Sequence, residues 1–112
     1  MKANIEASEV AEVFRQALRG EIEVKLTGDR SWKDIWCGDV EYMFGSWRVT
    51  IFNDVMDLDY VDSAIAPDGR TVEYDDWFDR DTFRGADPVD LLSAAEAPAL
   101  RNLLENVEPE TR

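Results

Sequence analysis

Two runs of alternating apolar residues meet at Gly45-Ser46, and that meeting constrains the fold more than any other feature of the chain. Val40, Tyr42 and Phe44 alternate with polar residues before it, and Trp47, Val49 and Ile51 after it. A two-residue turn with glycine first fits type II′, whose twist matches that of the flanking strands. Such a turn sets the register: Phe44 faces Trp47, Tyr42 faces Val49, and Val40 faces Ile51. Each pair puts apolar against apolar on the same face, so strand pattern and turn chemistry agree. One face of an antiparallel sheet is therefore dry and needs a cover.

The flanking segments supply it. Val10, Val13, Phe14, Ala17 and Leu18 recur at helical spacing, which gives one apolar helix face. Ser8 reads as the N-cap and Gly20 as the stop. Glu9 and Glu12 near the start, with Arg15 and Arg19 near the end, complement the helix dipole. The period then changes to two: Ile22, Val24 and Leu26 alternate with Glu21, Glu23 and Lys25, a strand with one dry face. Residues 28–33 form a polar loop. Trp32, Ile35 and Trp36 have the spacing of a short helical turn laid over the core.

A second hairpin is expected at Asp68-Gly69, a type I′ signal following Pro67. Its strands would run over 58–66 and 70–75, with Ile65 opposite Val72 and Ser63 opposite Tyr74. Leu58 and Tyr60 fall on the other parity from Val61 and Ile65, so either a bulge intervenes or both sheet faces are partly covered. From Asp76 to Ala86 the chain is irregular and polar. Asp87-Pro88 opens a helical turn, with Asp as cap and Pro in the first helical position. Ser93 and Glu96 make a capping box for a last helix whose apolar face is Leu100, Leu103, Leu104 and Val107. Pro98 lies early enough in that helix to be tolerated. The expected architecture is α+β: an N-terminal helix, an antiparallel sheet of four to five strands built from hairpins, and a C-terminal helix, both helices on one sheet face. Residues 1–112 read as a single domain with an ordered core over about 5–107.

Composition excludes several function classes. Hydrophobic residues make up 45% of the 112, too many for a disordered chain despite the charge. Nothing approaches the ~18 apolar residues of a membrane span. The first residues lack the apolar core of a signal peptide, which points to the cytoplasm. The single cysteine, Cys37, rules out an internal disulfide and a multi-cysteine zinc site, and its apolar neighbours suggest a buried, inert thiol. Histidine is absent. With it go the usual general base, the usual zinc ligand and the Ser-His and Cys-His nucleophile pairs. No cofactor is implied.

Charge is the remaining signal. Between Asp54 and Asp90 twelve acids meet three bases, nine of the chain's thirteen net negative charges. Eleven of the twelve are aspartate, which holds its charge close to the backbone. Such density repels nucleic acid and anionic membranes and attracts basic surfaces. Carboxylates about 5 Å apart repel by only ~1 kcal/mol in water, so a surface can hold them. Phe78 and Phe83 sit in the polar stretch without a clear period, as apolar anchors inside an acidic rim would.

Several short stretches, taken in order, carry a resemblance. They are Trp32-Lys-Asp-Ile-Trp-Cys-Gly38, Gly45-Ser-Trp47, Phe52-Asn-Asp54, Leu58-Asp-Tyr60, Pro67-Asp-Gly-Arg70, Asp75-Asp-Trp77 and Asp87-Pro-Val-Asp-Leu-Leu92. Over residues 8–107 the chain resembles a family of short, acidic bacterial proteins known as a domain of unknown function. The resemblance implies a stand-alone bacterial cytoplasmic domain and carries no activity or cofactor with it.

Candidate chemistry has to come from the residues. Asp57, Asp59 and Asp62, with Asp79 and Asp81, have the D-x-D spacing of oxygen ligands for a hard cation. An EF-hand match fails at Val61, and a solvated acidic face is the expected reading. Asp75 and Asp76 beside Trp77 could serve as a general acid and base, but a chain this short offers little room for a cleft. The tryptophans at positions 32, 36, 47 and 77 are expected in the core. The expected function is a non-enzymatic, acidic interaction module. Its partner surface comprises Asp54, Asp57, Asp59, Asp62, Asp75, Asp76, Phe78, Asp79, Asp81 and Phe83. That surface suits a basic protein, such as a nucleic-acid-binding protein or a toxin, rather than nucleic acid or membrane. A nucleic-acid-mimicking inhibitor is one form of it. An immunity or antitoxin protein, or a small carboxylate- or metal-dependent enzyme, are the alternatives. Plain solubility also accounts for net charge of this size.

Overall fold

The computed structural model describes residues 4–79 and 84–109, with Phe78, Asp79 and Arg84 described by backbone alone. Helix α1 (Ala7–Leu18) precedes a short strand β1 (Val24–Leu26) and a one-turn helix α2 (Trp32–Ile35). Strands β2 (Gly38–Phe44), β3 (Trp47–Asp54), β4 (Asp57–Ile65) and β5 (Thr71–Glu73) follow. The five strands form one antiparallel sheet in the order β1-β2-β3-β4-β5. A 3-10 turn over Tyr74–Trp77 leads to β6 (Phe78–Asp79), which pairs with β7 (Arg84–Gly85). A second 3-10 turn, Pro88–Leu91, precedes helix α3 (Glu96–Glu105). The expected α+β architecture is the observed one.

Both long helices lie on one sheet face. Phe14 from α1 and Leu100 and Leu104 from α3 are fully buried together with Val40, Tyr42, Phe44, Val49, Ile51 and Val61 of the sheet. Each such side chain contributes roughly 1.5–3 kcal/mol. Phe14 packs on Phe44 with ring centroids 5.2 Å apart. Two buried polar tips are satisfied by backbone: the Tyr42 hydroxyl donates to the Leu104 carbonyl (2.9 Å) and the Trp77 indole to the Ile5 carbonyl (2.9 Å). Helix α1 is capped by Glu6, not Ser8. The Glu9 carboxylate accepts the Glu6 amide at 2.9 Å, which fixes the first turn two residues earlier than expected. Its far end is a Schellman motif: Gly20, at φ +76, donates to Ala17, and Glu21 donates to Gln16.

The first hairpin has the expected register, with Val40 opposite Ile51, Tyr42 opposite Val49, and Phe44 opposite Trp47. The hairpin at Asp68-Gly69 differs by one residue. Ser63 faces Glu73, Ala64 faces Val72 and Ile65 faces Thr71. Proline explains the shift. A two-residue turn would require position 67 to donate to the ladder, and Pro67 has no N–H. The Ala66 amide donates to Arg70 instead (2.9 Å), closing a three-residue loop in which Gly69, at φ +92, takes the left-handed position. Ala64 therefore points into the core and Ile65 points out, 41% exposed.

A hairpin not anticipated from sequence joins β3 to β4 through Val55 and Met56. Both have positive φ, +51 and +75, as a type I′ turn requires, and neither is glycine. Tertiary bonds hold them. Asn53 is fully buried; its Oδ1 accepts the Met56 amide (2.7 Å) and its amide group donates to the Trp32 carbonyl (3.0 Å). The Met56 carbonyl accepts from Arg101 (2.9 Å), and the Met56 amide also donates to the Trp36 carbonyl (3.0 Å). Trp36 itself has φ +62. That backbone swings its side chain outward, so Trp36 is 60% exposed rather than core. Cys37 is exposed too, not buried. Trp32 and Trp77 are in the core as expected, and Trp47 is half-buried.

Two predictions concern this corner. Asn53→Ala strands the Trp32 carbonyl and the Met56 amide and is expected to lower stability by about 1–3 kcal/mol, read as a shift in denaturant midpoint. Val55 is 50% exposed and conformationally disfavoured. Val55→Asn, which tolerates the left-handed region, is expected to raise stability by roughly 1 kcal/mol in the same measurement.

Candidate functional site

The second sheet face has no described element over it. Its residues lie in cross-strand rows. Met43, Arg48 and Ile65 make one row; Glu41, Thr50, Ser63 and Glu73 the next; Asp39, Phe52 and Tyr60 a third. All are half-buried or exposed. Phe52 and Tyr60 stack with centroids 5.1 Å apart and planes at 18°. Tyr74, from the 3-10 turn, lies against Tyr60 at 4.6 Å and 48°. The three rings form an aromatic ladder on the solvent side of the sheet. Beyond Tyr60 and Tyr74 lies an open recess of about 250 Å³, lined also by Asp62, Glu73, Asp75 and Asp76.

Two bulges in β4 make this arrangement. Leu58 faces Asn53 and Tyr60 faces Phe52, which leaves Asp59 as an extra residue; Val61 faces Ile51 and Ser63 faces Thr50, which leaves Asp62 as another. Each bulge resets the inward-outward alternation. Leu58 thus reaches the core, Tyr60 the open face and Val61 the core again, which resolves the parity conflict seen in the sequence. The same bulge breaks the alternation from Asp57 to Asp59 on which a shared cation would rest. Among the described residues no three Cys, Asp or Glu side chains converge enough to hold a metal ion.

The aspartates come together electrostatically. Asp54 and Asp57 oppose each other across the Val55-Met56 turn. Burial and then the charges of Asp54, Asp57 and Asp90 push the Asp59 carboxyl above its usual range. Asp39 is raised by burial and then by Asp62. The phenols of Tyr60 and Tyr74 are also raised, first by burial and then by the surrounding carboxylates, so both rings stay neutral. Among the described residues no Lys or Arg pairs with Asp39, Asp54, Asp57, Asp59 or Asp62. The bases pair elsewhere: Arg15 with Glu96, Arg19 with Glu12 and Glu21, Arg70 with Glu9 and Asp68, Arg101 with Glu105.

Of the expected partner residues, Asp54, Asp57, Asp59, Asp62, Asp75 and Asp76 lie on or beside this surface. Asp76 also turns one oxygen to the Glu73 amide (2.9 Å), so it holds its own turn as well as facing the recess. Phe78 and Asp79 belong to β6, their side chains not described, and Asp81 and Phe83 lie outside the described residues. Sequence reasoning missed Asp39, Phe52, Tyr60 and Tyr74. The parity conflict at Tyr60 was the available signal.

Asp87 stands apart as a buried carboxylate, 3% exposed. It caps the Pro88–Leu91 turn as expected, its Oδ1 accepting the Val89 amide at 2.9 Å. Its Oδ2 accepts the Val61 amide (2.9 Å), the residue between the two bulges. Burial pushes this carboxyl up to about 7; the two amide donors oppose the shift, and Asp90 and Asp59 add to it.

An antiparallel meander with two helices on one face and an uncovered aromatic and acidic face defines the class of domain. The family model "Domain of unknown function (DUF7693)" matches residues 4–106, and the chain belongs to that family. No curated protein and no solved structure matches it. No described helix is long and apolar enough to cross a membrane.

The raised carboxyls set a pH dependence. Asp87 binds its proton near pH 7 when folded and near 3.9 when unfolded, so between those values the native state holds more protons. Stability therefore rises as pH falls from 8 towards 5. Below about 4 the sign reverses, because Asp34 and Asp68, held low chiefly by backbone hydrogen bonds, and Glu21, held low by Arg19, lose their favoured charge. Thermal unfolding across this range should show a maximum near pH 5. Asp87→Asn should flatten the slope between pH 5 and 7.

Proposed function

We propose that this domain is a protein-interaction module that docks a basic protein onto its acidic sheet face, with carboxylates standing in for the phosphates of a nucleic acid. The observation that carries the reading is the placement of Asp39, Asp54, Asp57, Asp59 and Asp62 on one surface, without ion pairs among the described residues, beside half-exposed aromatic rings. Charges kept only for solubility need not cluster, nor border an aromatic ladder. Like charges held together attract counterions, and a basic partner that displaces them gains from their release, as proteins do on a polyanion. The rings add contact area at the centre, where aromatic residues carry interface energy. Proteins that handle nucleic acid present basic grooves of the matching sign, which makes them the favoured partners.

The test compares wild type with Asp54→Asn/Asp57→Asn/Asp59→Asn as immobilised bait for nucleic-acid-binding proteins of the native host. Retention should be strong at about 0.05 M salt and lost at about 0.5 M, where surface charges are screened within a few ångströms. The triple variant should retain the same partner at least about tenfold more weakly. Retention that ignores both salt and the substitutions would sink the reading.

A further inference from the structure

We propose that the recess between Tyr60 and Tyr74 takes an arginine side chain of the docking partner. The inference rests on the docking reading above and names the group that enters the sheet face. Volume comes first. At about 250 Å³ the recess is smaller than the ~300–1,000 Å³ pockets that enclose drug-sized ligands, and its open mouth suits the end of a side chain. Its walls come second. Two tyrosine rings inclined at 48° offer π faces and edges to a flat group, and a cation near such a face is attracted by the ring quadrupole. Its rim comes third. Asp62 and Glu73 stand at the recess with carboxylate oxygens, so the ligand must supply positive charge and donors.

Arginine fits these requirements better than lysine. Its guanidinium is planar, weakly hydrated and able to stack while donating in a fork to carboxylates. An ammonium is strongly hydrated and gives up more water to enter. The same face also limits where a basic segment lies. Arg48 is exposed two rows from Tyr60, so positive charge is favoured at the Asp39–Tyr60 end and opposed at the hairpin end.

The experiment titrates the protein with hexa-arginine and hexa-lysine, peptides of equal charge, at low salt. Wild type should bind hexa-arginine at least about fivefold more tightly, the scale of one cation–π contact. Tyr60→Leu and Tyr74→Leu should shrink that ratio while leaving hexa-lysine affinity nearly unchanged, and Tyr74→Phe should keep it. Asp62→Asn should weaken both peptides. A ratio near one, or a preference indifferent to the tyrosine substitutions, overturns the arginine recess but leaves acidic docking standing. If neither peptide binds, the docking reading falls and this inference with it. Ring resonances of Tyr60 and Tyr74 in wild type give a readout that needs no variant: they should shift on adding hexa-arginine, and their immobility would also count against the proposal.

Discussion

The carboxylate of Asp87 grips the backbone of β4 at the one residue between two bulges. A bulge leaves an amide outside the sheet ladder, and an unpaired buried amide costs as much as a lost hydrogen bond. Asp87 supplies an acceptor to Val61 (2.9 Å) and, from its other oxygen, one to Val89. One side chain thus ties the central sheet to the Pro88–Leu91 turn and, through it, to the approach of α3. The outward aim of Tyr60, the position of Asp59 and Asp62, and the recess all follow from where those bulges sit. The interaction is strained in one respect: burial disfavours the charged form that accepts both bonds best.

Elsewhere the stabilising work is apolar. Arg19 and Glu21, or Arg70 and Asp68, make short ion pairs on exposed side chains, and such pairs are worth little because water screens them. The sheet's dry face, sealed by Phe14, Leu100 and Leu104, supplies what the surface does not. This division lets the opposite face accumulate aspartates. Their mutual repulsion costs far less than the core provides, since each is at least partly in water.

Local signals made the first hairpin legible. Gly45-Ser46 and the alternation around it agree, and no distant contact is needed to choose the register. The same holds for Asp87-Pro88 and for Ser93 with Glu96, whose capping bonds form as their residue types imply. The turn at Val55-Met56 was not legible, because neither residue favours positive φ. Asn53, Trp32, Trp36 and Arg101 impose it from other parts of the fold. Trp36 and Cys37 misled for a related reason: their neighbours are apolar, but an uncommon backbone angle turns the segment outward. At the site, the aspartates announced themselves by density, whereas Tyr60 and Tyr74 depended on bulges and on a 3-10 turn that periodicity does not encode. Pro67 was the exception, since its missing amide already excluded a two-residue loop.

The separation of paired bases from clustered aspartates has a consequence beyond contact distance. Arg15, Arg19 and Arg101 on the helices are neutralised by neighbouring glutamates, while the negative charge gathers on the sheet side. The molecule is therefore an electric dipole as well as an anion. In the field of a positively charged object it experiences a torque as well as a pull, and it turns its aromatic face forward before the two surfaces touch.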